Sequence, residues 1–177
     1  AVNLGADELA AVRADGLAAL GPSAGLLVSA NVRRADDGRH GPAPGRRVSA
    51  EMPDGLVLSV AVFGLLDERR VGEYGPLAGA DGPWTVTPAA EALAGLPDAV
   101  RILLFDGPAA RAASLPHADR FDVIVAAADA DAPSAAGASP VVLTCGRRGR
   151  HLGVLTAGVS ARGPPAGWSF RAEPLEP

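Results

Sequence analysis

Two apolar runs, Ala99–Phe105 (AVRILLF) and Phe121–Ala127 (FDVIVAA), flank Pro108–Leu115, a stretch with the marks of a short helix. Continuous runs rich in branched side chains belong to strands buried on both faces, which occur in parallel sheets. Parallel neighbours cannot be joined by a tight hairpin, so the chain between them must cross over, usually through a helix. The spacing therefore predicts a βαβ unit whose strands end side by side, at Phe105–Gly107 and Ala127–Asp131. Ligands of open α/β sheets sit outside such carboxyl ends.

The rest of the chain supplies partners for this unit. Ala1–Leu4 is a short apolar run leading into a helix that carries Leu9, Val12, Leu17 and Leu20 and is stopped by Gly21-Pro22. Gly25–Val32 (GLLVSANV) has the pattern of one buried strand, and Arg33–Gly45 that of a polar loop. Arg46–Met52 alternates, Pro53-Asp54-Gly55 turns, and Leu56–Leu66 returns as a long apolar run, which predicts a hairpin. Asp67–Gly82 is a surface connection, Trp84–Thr87 is extended, and Pro88 opens a helix to about Leu96. Ala132–Ser139 is a small-residue loop. Strands are predicted at Val141–Cys145, His151–Val159 and, after the Gly163-Pro164-Pro165 turn, Trp168–Glu173, with a basic turn at Gly146–Arg150. No internal repeat or linker interrupts the 177 residues, so a single domain over 1–177 is expected, and 48% hydrophobic residues exclude wholesale disorder.

Charge narrows the function classes. Sixteen basic residues, all Arg, face twenty acidic ones, for a net charge of −4. The pairs Arg33/Arg34, Arg46/Arg47, Arg69/Arg70 and Arg147/Arg148 are scattered among acids, so no nucleic-acid partner is expected. No run approaches the ~20 apolar residues of a spanning helix, so no membrane span is expected. The single cysteine, Cys145, excludes an intrachain disulfide and any multi-cysteine metal motif. The chain opens Ala1-Val2-Asn3-Leu4, without the pattern of a signal peptide.

Four acids have positions suited to chemistry. Asp106, Asp129 and Asp131 fall at the ends of two neighbouring predicted strands, and Asp7 near the end of a third. Together they would make an oxygen-rich site for calcium or magnesium; solvated acids at loop tips are the competing reading. The three histidines, His40, His117 and His151, lack metal-ligand spacing and are read as structural. Cys145 is read as a small apolar residue, the alternative being a nucleophile served by His151 and the nearby arginines. Gly146–Gly149 would either be a solvated basic turn or present an anion with backbone N–H groups and guanidinium. Trp84, Trp168, Phe63, Phe105 and Phe170 are assigned to the core.

Several segments, in order, resemble the metallophosphoesterase domain of the periplasmic 5'-nucleotidase family. They are Val2–Leu9 (VNLGADEL), Leu26–Val32 (LLVSANV), Arg46–Asp67 (RRVSAEMPDGLVLSVAVFGLLD), Trp84–Leu93 (WTVTPAAEAL), Arg101–Gly107 (RILLFDG), Phe121–Asp131 (FDVIVAAADAD) and Cys145–Leu155 (CGRRGRHLGVL). The resemblance implies an α/β fold of the αββα sandwich kind with mixed sheets. It covers only the later part of such a domain: the N-terminal segment with the Asp-x-His metal motif and bridging aspartate has no counterpart. In the family two metal ions ~4 Å apart orient a hydroxide toward phosphorus. Carried over residue by residue, its Asn-His pair falls on Ala6 and Asp7, its His after Leu-Ser on Asp106, and the two His of Gly-Gly-His-x-His on Ala128 and Ala130. Every histidine position is changed.

The expectation is a catalytically degenerate metallophosphoesterase-like module with a structural or protein-interaction role, no cofactor, and no catalytic residue. Its partner would be another polypeptide or the missing N-terminal part. One alternative is a phosphohydrolase using a divalent cation on Asp7, Asp106, Asp129 and Asp131 alone; another is nucleotide or phosphate binding without hydrolysis. The resemblance implies a periplasmic or extracellular location.

Overall fold

The computed structural model describes residues 2, 3, 5, 9, 25–39, 41–71, 84–94, 96, 100–127, 132–137, 139–146, 151–160 and 163–175. In chain order its elements are β1 (Val2–Asn3), β2 (Leu27–Val28), β3 (Val32–Arg34), β4 (Gly45–Glu51), β5 (Val57–Leu66), α1 (Glu68–Val71), β6 (Trp84–Val86), α2 (Ala89–Ala94), β7 (Val100–Pro108), α3 (Ala109–Ala112), β8 (Val123–Ala127), β9 (Ser134–Ala136), β10 (Val141–Thr144), β11 (His151–Ser160) and β12 (Gly163–Pro174). A 3-10 turn, Ala118–Arg120, leads into β8.

A six-stranded sheet in the order β4-β5-β7-β8-β10-β9 carries the fold. Its four inner strands, β5, β7, β8 and β10, run parallel, while β4 and β9 close the edges antiparallel. The βαβ unit is thus as the spacing predicts, with Leu103 opposite Ile124 and Leu104 opposite Val125. Side chains alternate between two faces. Ala61, Phe63, Leu65, Leu103, Phe105, Ile124, Ala126 and Val142 point to one side, where Ala89, Ala92 and Leu93 of α2 and Ala112 of α3 cover them. Phe63 and Phe121 meet edge to face there, with ring centroids 6.4 Å apart. On the other side Val123, Val141 and Leu143 meet half-buried Leu155, Trp168 and Phe170 of the β11–β12 ribbon. The period of two along each strand therefore sorts one apolar run into two cores.

The protein is α/β with mixed sheets, as the resemblance implies, and is mostly strand. Local differences have identifiable causes. The expected single strand Gly25–Val32 is broken: β2 pairs parallel with β1, and β3 pairs antiparallel with β6. Between them Ser29–Asn31 passes against β5, where the Ala30 N–H donates to Gly64 O at 2.7 Å. Gly64 is needed for that approach, because a Cβ there would collide with the Val28 carbonyl and Asn3 Oδ1. The small-residue loop Ala132–Ser139 contains β9, whose Ser134 hydroxyl lies 3.0 Å from that of Thr144 on β10. The last strand is longer than Trp168–Glu173 and takes in Pro164 and Pro165; a strand with a free edge tolerates their missing N–H groups. Asp67 is buried rather than a surface connection, and α1 follows it. The predicted helix after Leu9 and most of the basic turn Gly146–Arg150 lie outside the described residues.

Candidate functional site

The carboxyl ends of β5 and β7 form the site. In their parallel register Leu66 stands opposite Asp106, so the next residue, Asp67, comes level with Gly107. Asp67 is only 3% exposed. A Cβ on Gly107 would lie 2.8 Å from Asp67 Oδ2 and would also strike the Phe105 ring. Glycine at 107 is what lets the carboxylate close against the strand.

Each acid is held by an arginine from the loop of the other strand. Asp67, which directly follows β5, pairs with Arg111 of α3, the helix that follows β7. Asp106, near the end of β7, accepts from Arg70 of α1, the helix that follows β5, at 2.6 Å. Asp67 Oδ1 also accepts the Arg69 N–H at 3.1 Å, which starts α1. The two ion pairs therefore cross. Both are partly withdrawn from water, Arg111 at 22% exposure and Arg70 at 27%. Taking one partner from a buried pair leaves an uncompensated charge and typically costs about 3–5 kcal/mol, so these pairs fix the geometry of the edge.

Buried amides hold the adjoining segment. Asn31, fully buried, donates from Nδ2 to Leu66 O at 2.8 Å and accepts the Leu66 N–H on Oδ1 at 3.0 Å. Its side chain thus replaces a strand neighbour at the last residue of β5. Asn3 Nδ2 donates to Leu65 O at 3.1 Å, whereas its buried Oδ1 has no hydrogen-bond partner among the described residues. At the surface, Arg34 and Asp36 pair at 2.5 Å: the hydrogen bond and charge of each partner raise the arginine pKa and lower that of the aspartate.

Of the four sequence-derived acids, Asp106 belongs to this edge, while Asp7, Asp129 and Asp131 lie outside the described residues. His117 is exposed in a left-handed conformation with φ 60°, and His151 begins β11 with Nδ1 buried and without a hydrogen-bond partner among the described residues; His40 lies outside the described residues. Cys145 is exposed, which corrects its reading as a buried apolar residue: it follows the last residue of β10, past the covered part of the strand. Trp84, Phe63 and Phe105 are core residues, and Trp168 and Phe170 are half-buried against the second core. Among the described residues no group of three or more His, Cys, Asp or Glu side chains could hold a metal ion. The donors at the edge do not fit a two-metal centre, since both acids are committed to guanidinium groups. The sequence reading missed Asp67, Arg70 and Arg111. The available signal was the form of both runs, GLLD and LLFD, each ending on an acid with arginine three to five residues beyond.

With this geometry in hand, the chain can be set beside known proteins. It matches no protein-family model and no curated protein. Solved structures do match. A sulfate thiohydrolase of Thermus thermophilus aligns over 94% of this chain and 31% of its own, with 17% identity and a TM-score of 0.68. A calcineurin-like phosphoesterase of Bacillus subtilis aligns over 84% of this chain and 55% of its own, with 18% identity and a TM-score of 0.61. A 5'-nucleotidase precursor of Thermus thermophilus aligns over 97% of this chain and 36% of its own, with 18% identity and a TM-score of 0.56. At such identities the likeness is one of fold, and the fold is that of calcineurin-like phosphoesterases and 5'-nucleotidases. The chain spans roughly a third to a half of the length of these proteins.

Proposed function

We propose that this chain is a catalytically degenerate metallophosphoesterase-like module whose sheet serves a structural or protein-interaction role. One observation carries the reading: the acids at the carboxyl edge, Asp67 and Asp106, are each engaged by an arginine. Asp106 is also the residue onto which the sequence resemblance carries a histidine ligand. A carboxylate already neutralised by guanidinium is a poor ligand for a catalytic cation, because the cation must displace a charge-assisted hydrogen bond. The module completes, or is completed by, another polypeptide, in a periplasmic or extracellular setting. Two exposed leucines, Leu152 on β11 and Leu175 just past the end of β12, support an interaction role.

A second reading draws on the likeness to a calcineurin-like phosphoesterase: a phosphohydrolase that binds a divalent cation through Asp7, Asp106, Asp129 and Asp131. The two readings make opposite forecasts. Protein purified without chelator is expected to carry no stoichiometric metal and to show no phosphomonoesterase turnover with manganese, calcium or zinc. Stoichiometric metal with turnover, both lost in the D106N variant, would establish the second reading and remove the first.

A further inference from the structure

The geometry points to Arg70 and Arg111 as resident cations of the sheet's carboxyl edge, which hold Asp67 and Asp106 in place and make this edge independent of any dissociable metal. The inference concerns the construction of the edge and stands whether or not the chain hydrolyses a phosphoester. It begins from register. Leu66 opposite Asp106 and Asp67 level with Gly107 bring two carboxylates to the ends of neighbouring parallel strands, and the absence of a side chain at Gly107 leaves room for Asp67 Oδ2, which would lie 2.8 Å from a Cβ there. Asp67 is 3% exposed and the Asp106 side chain 16%, so water compensates little of either charge. An arrangement of this kind requires positive charge.

That charge could come from an ion in solution or from the chain. Here it comes from the chain, and in a crossed pattern. Arg70 follows β5 and reaches the acid of β7; Arg111 follows β7 and reaches the acid of β5. Each pair thus ties the loop after one strand to the end of the other. A guanidinium is the residue type for this task, being always charged, weakly hydrated and able to donate through several N–H groups at once.

Thermal denaturation of the full chain tests the inference without an activity assay. For the unaltered protein, the melting temperature is expected to agree within about 1 °C in EDTA and in 10 mM magnesium, calcium or manganese chloride. The R70M/R111M variant keeps an unbranched apolar stem at each position and loses both charges. It is expected to melt lower and to recover by about 5 °C or more as calcium or manganese saturates the bared acids. Adding D67N and D106N to that variant is expected to restore stability without any metal and to abolish the metal response. R70K/R111K is expected to keep the metal independence. Because R111M bares the more buried acid and risks misfolding, R70M alone provides a second assay, with the same response at lower affinity. The inference is overturned if the unaltered protein gains as much from the metal salts as R70M/R111M does. It is equally overturned if neither R70M nor R70M/R111M responds to metal, or if the fourfold variant stays as unstable as R70M/R111M, which would mean that the arginines act through packing alone.

Discussion

Asn31 shows how much one side chain decides. Both ends of its amide are spent on the backbone of Leu66, so the last residue of β5 keeps a strand-like pair of hydrogen bonds beyond Phe63, where its pairing with β4 ends. In N31L the buried N–H and carbonyl of Leu66 lose their partners, each at about 1–3 kcal/mol. Urea denaturation should show a loss of roughly 3 kcal/mol. A loss below 1 kcal/mol would mean that the amide is dispensable. Gly107 is a second such position. G107A places a methyl group 2.8 Å from Asp67 Oδ2 and against Phe105, an overpacking that costs about 1–3 kcal/mol. Because the displaced group is Asp67 itself, R111M should cost less in the G107A background than alone, and a double-mutant cycle measures the difference. The Arg34–Asp36 pair makes the contrasting case. Its hydrogen bond lowers the Asp36 pKa, so the pair contributes above the unfolded aspartate pKa and is lost as pH falls through the lower folded value. Both side chains are exposed, so water and salt screen the pair. NMR titration should place Asp36 below the ordinary aspartate range and R34Q should return it there, with the melting temperature unchanged.

At the scale of elements, α2 is instructive because six residues are too few to be helical unaided. Its two ends are satisfied from elsewhere in the chain. Glu68 Oε2 accepts the Ala89 N–H at 2.9 Å, and Arg120 donates to the carbonyls of Leu93 at 2.9 Å, Ala94 at 3.0 Å and Leu96. R120M should therefore cost about 2 kcal/mol in urea denaturation, more than E68Q, which keeps an acceptor oxygen at the first turn. If R120M proves neutral, the buried Ala92 and Leu93 hold the helix by packing alone. The same element marks what a sequence discloses. Pro88 announces the helix and the alanine-leucine pattern shows its buried face, but nothing local to Arg120 says that it reaches back to α2 from 24 to 27 residues away. The strands of the βαβ unit were legible because their apolar runs encode burial on both faces. The break at Ser29–Asn31 was not, because a segment threading the core is as apolar as a strand paired within it. The crossed arginines escaped for a related reason: an ion pair between residues 36 or 44 positions apart leaves no periodic trace, and only strand register brings its members together.

Across the whole molecule, stability should be graded according to how each pairing is supported. β7 lies between β5 and β8, and β8 between β7 and β10, so their backbone groups are bonded on both sides and their side chains are packed above and below. The β1–β2 and β3–β6 pairs have only two and three residues per strand, too small to persist without the sheet they lean on. Among the described residues β4 and β9 are each paired on one side only, and every residue of β9 is exposed. Opening free energies should follow this order, from the global value at the centre down to small local values at the margins. Hydrogen exchange is expected to find the amides of Leu103, Leu104, Ile124 and Val125 the slowest, exchanging only when the whole chain unfolds. Amides of β3 and β6 should exchange through smaller openings with little dependence on denaturant. The β11–β12 ribbon separates two outcomes. If Leu155 and Phe170 are protected to the level of Ile124, the ribbon and sheet open as one unit and the second core is as cooperative as the first. If they exchange as freely as β3, the ribbon is a cover that lifts from Val123, Val141 and Leu143, and that apolar face is then bared without unfolding the fold beneath it.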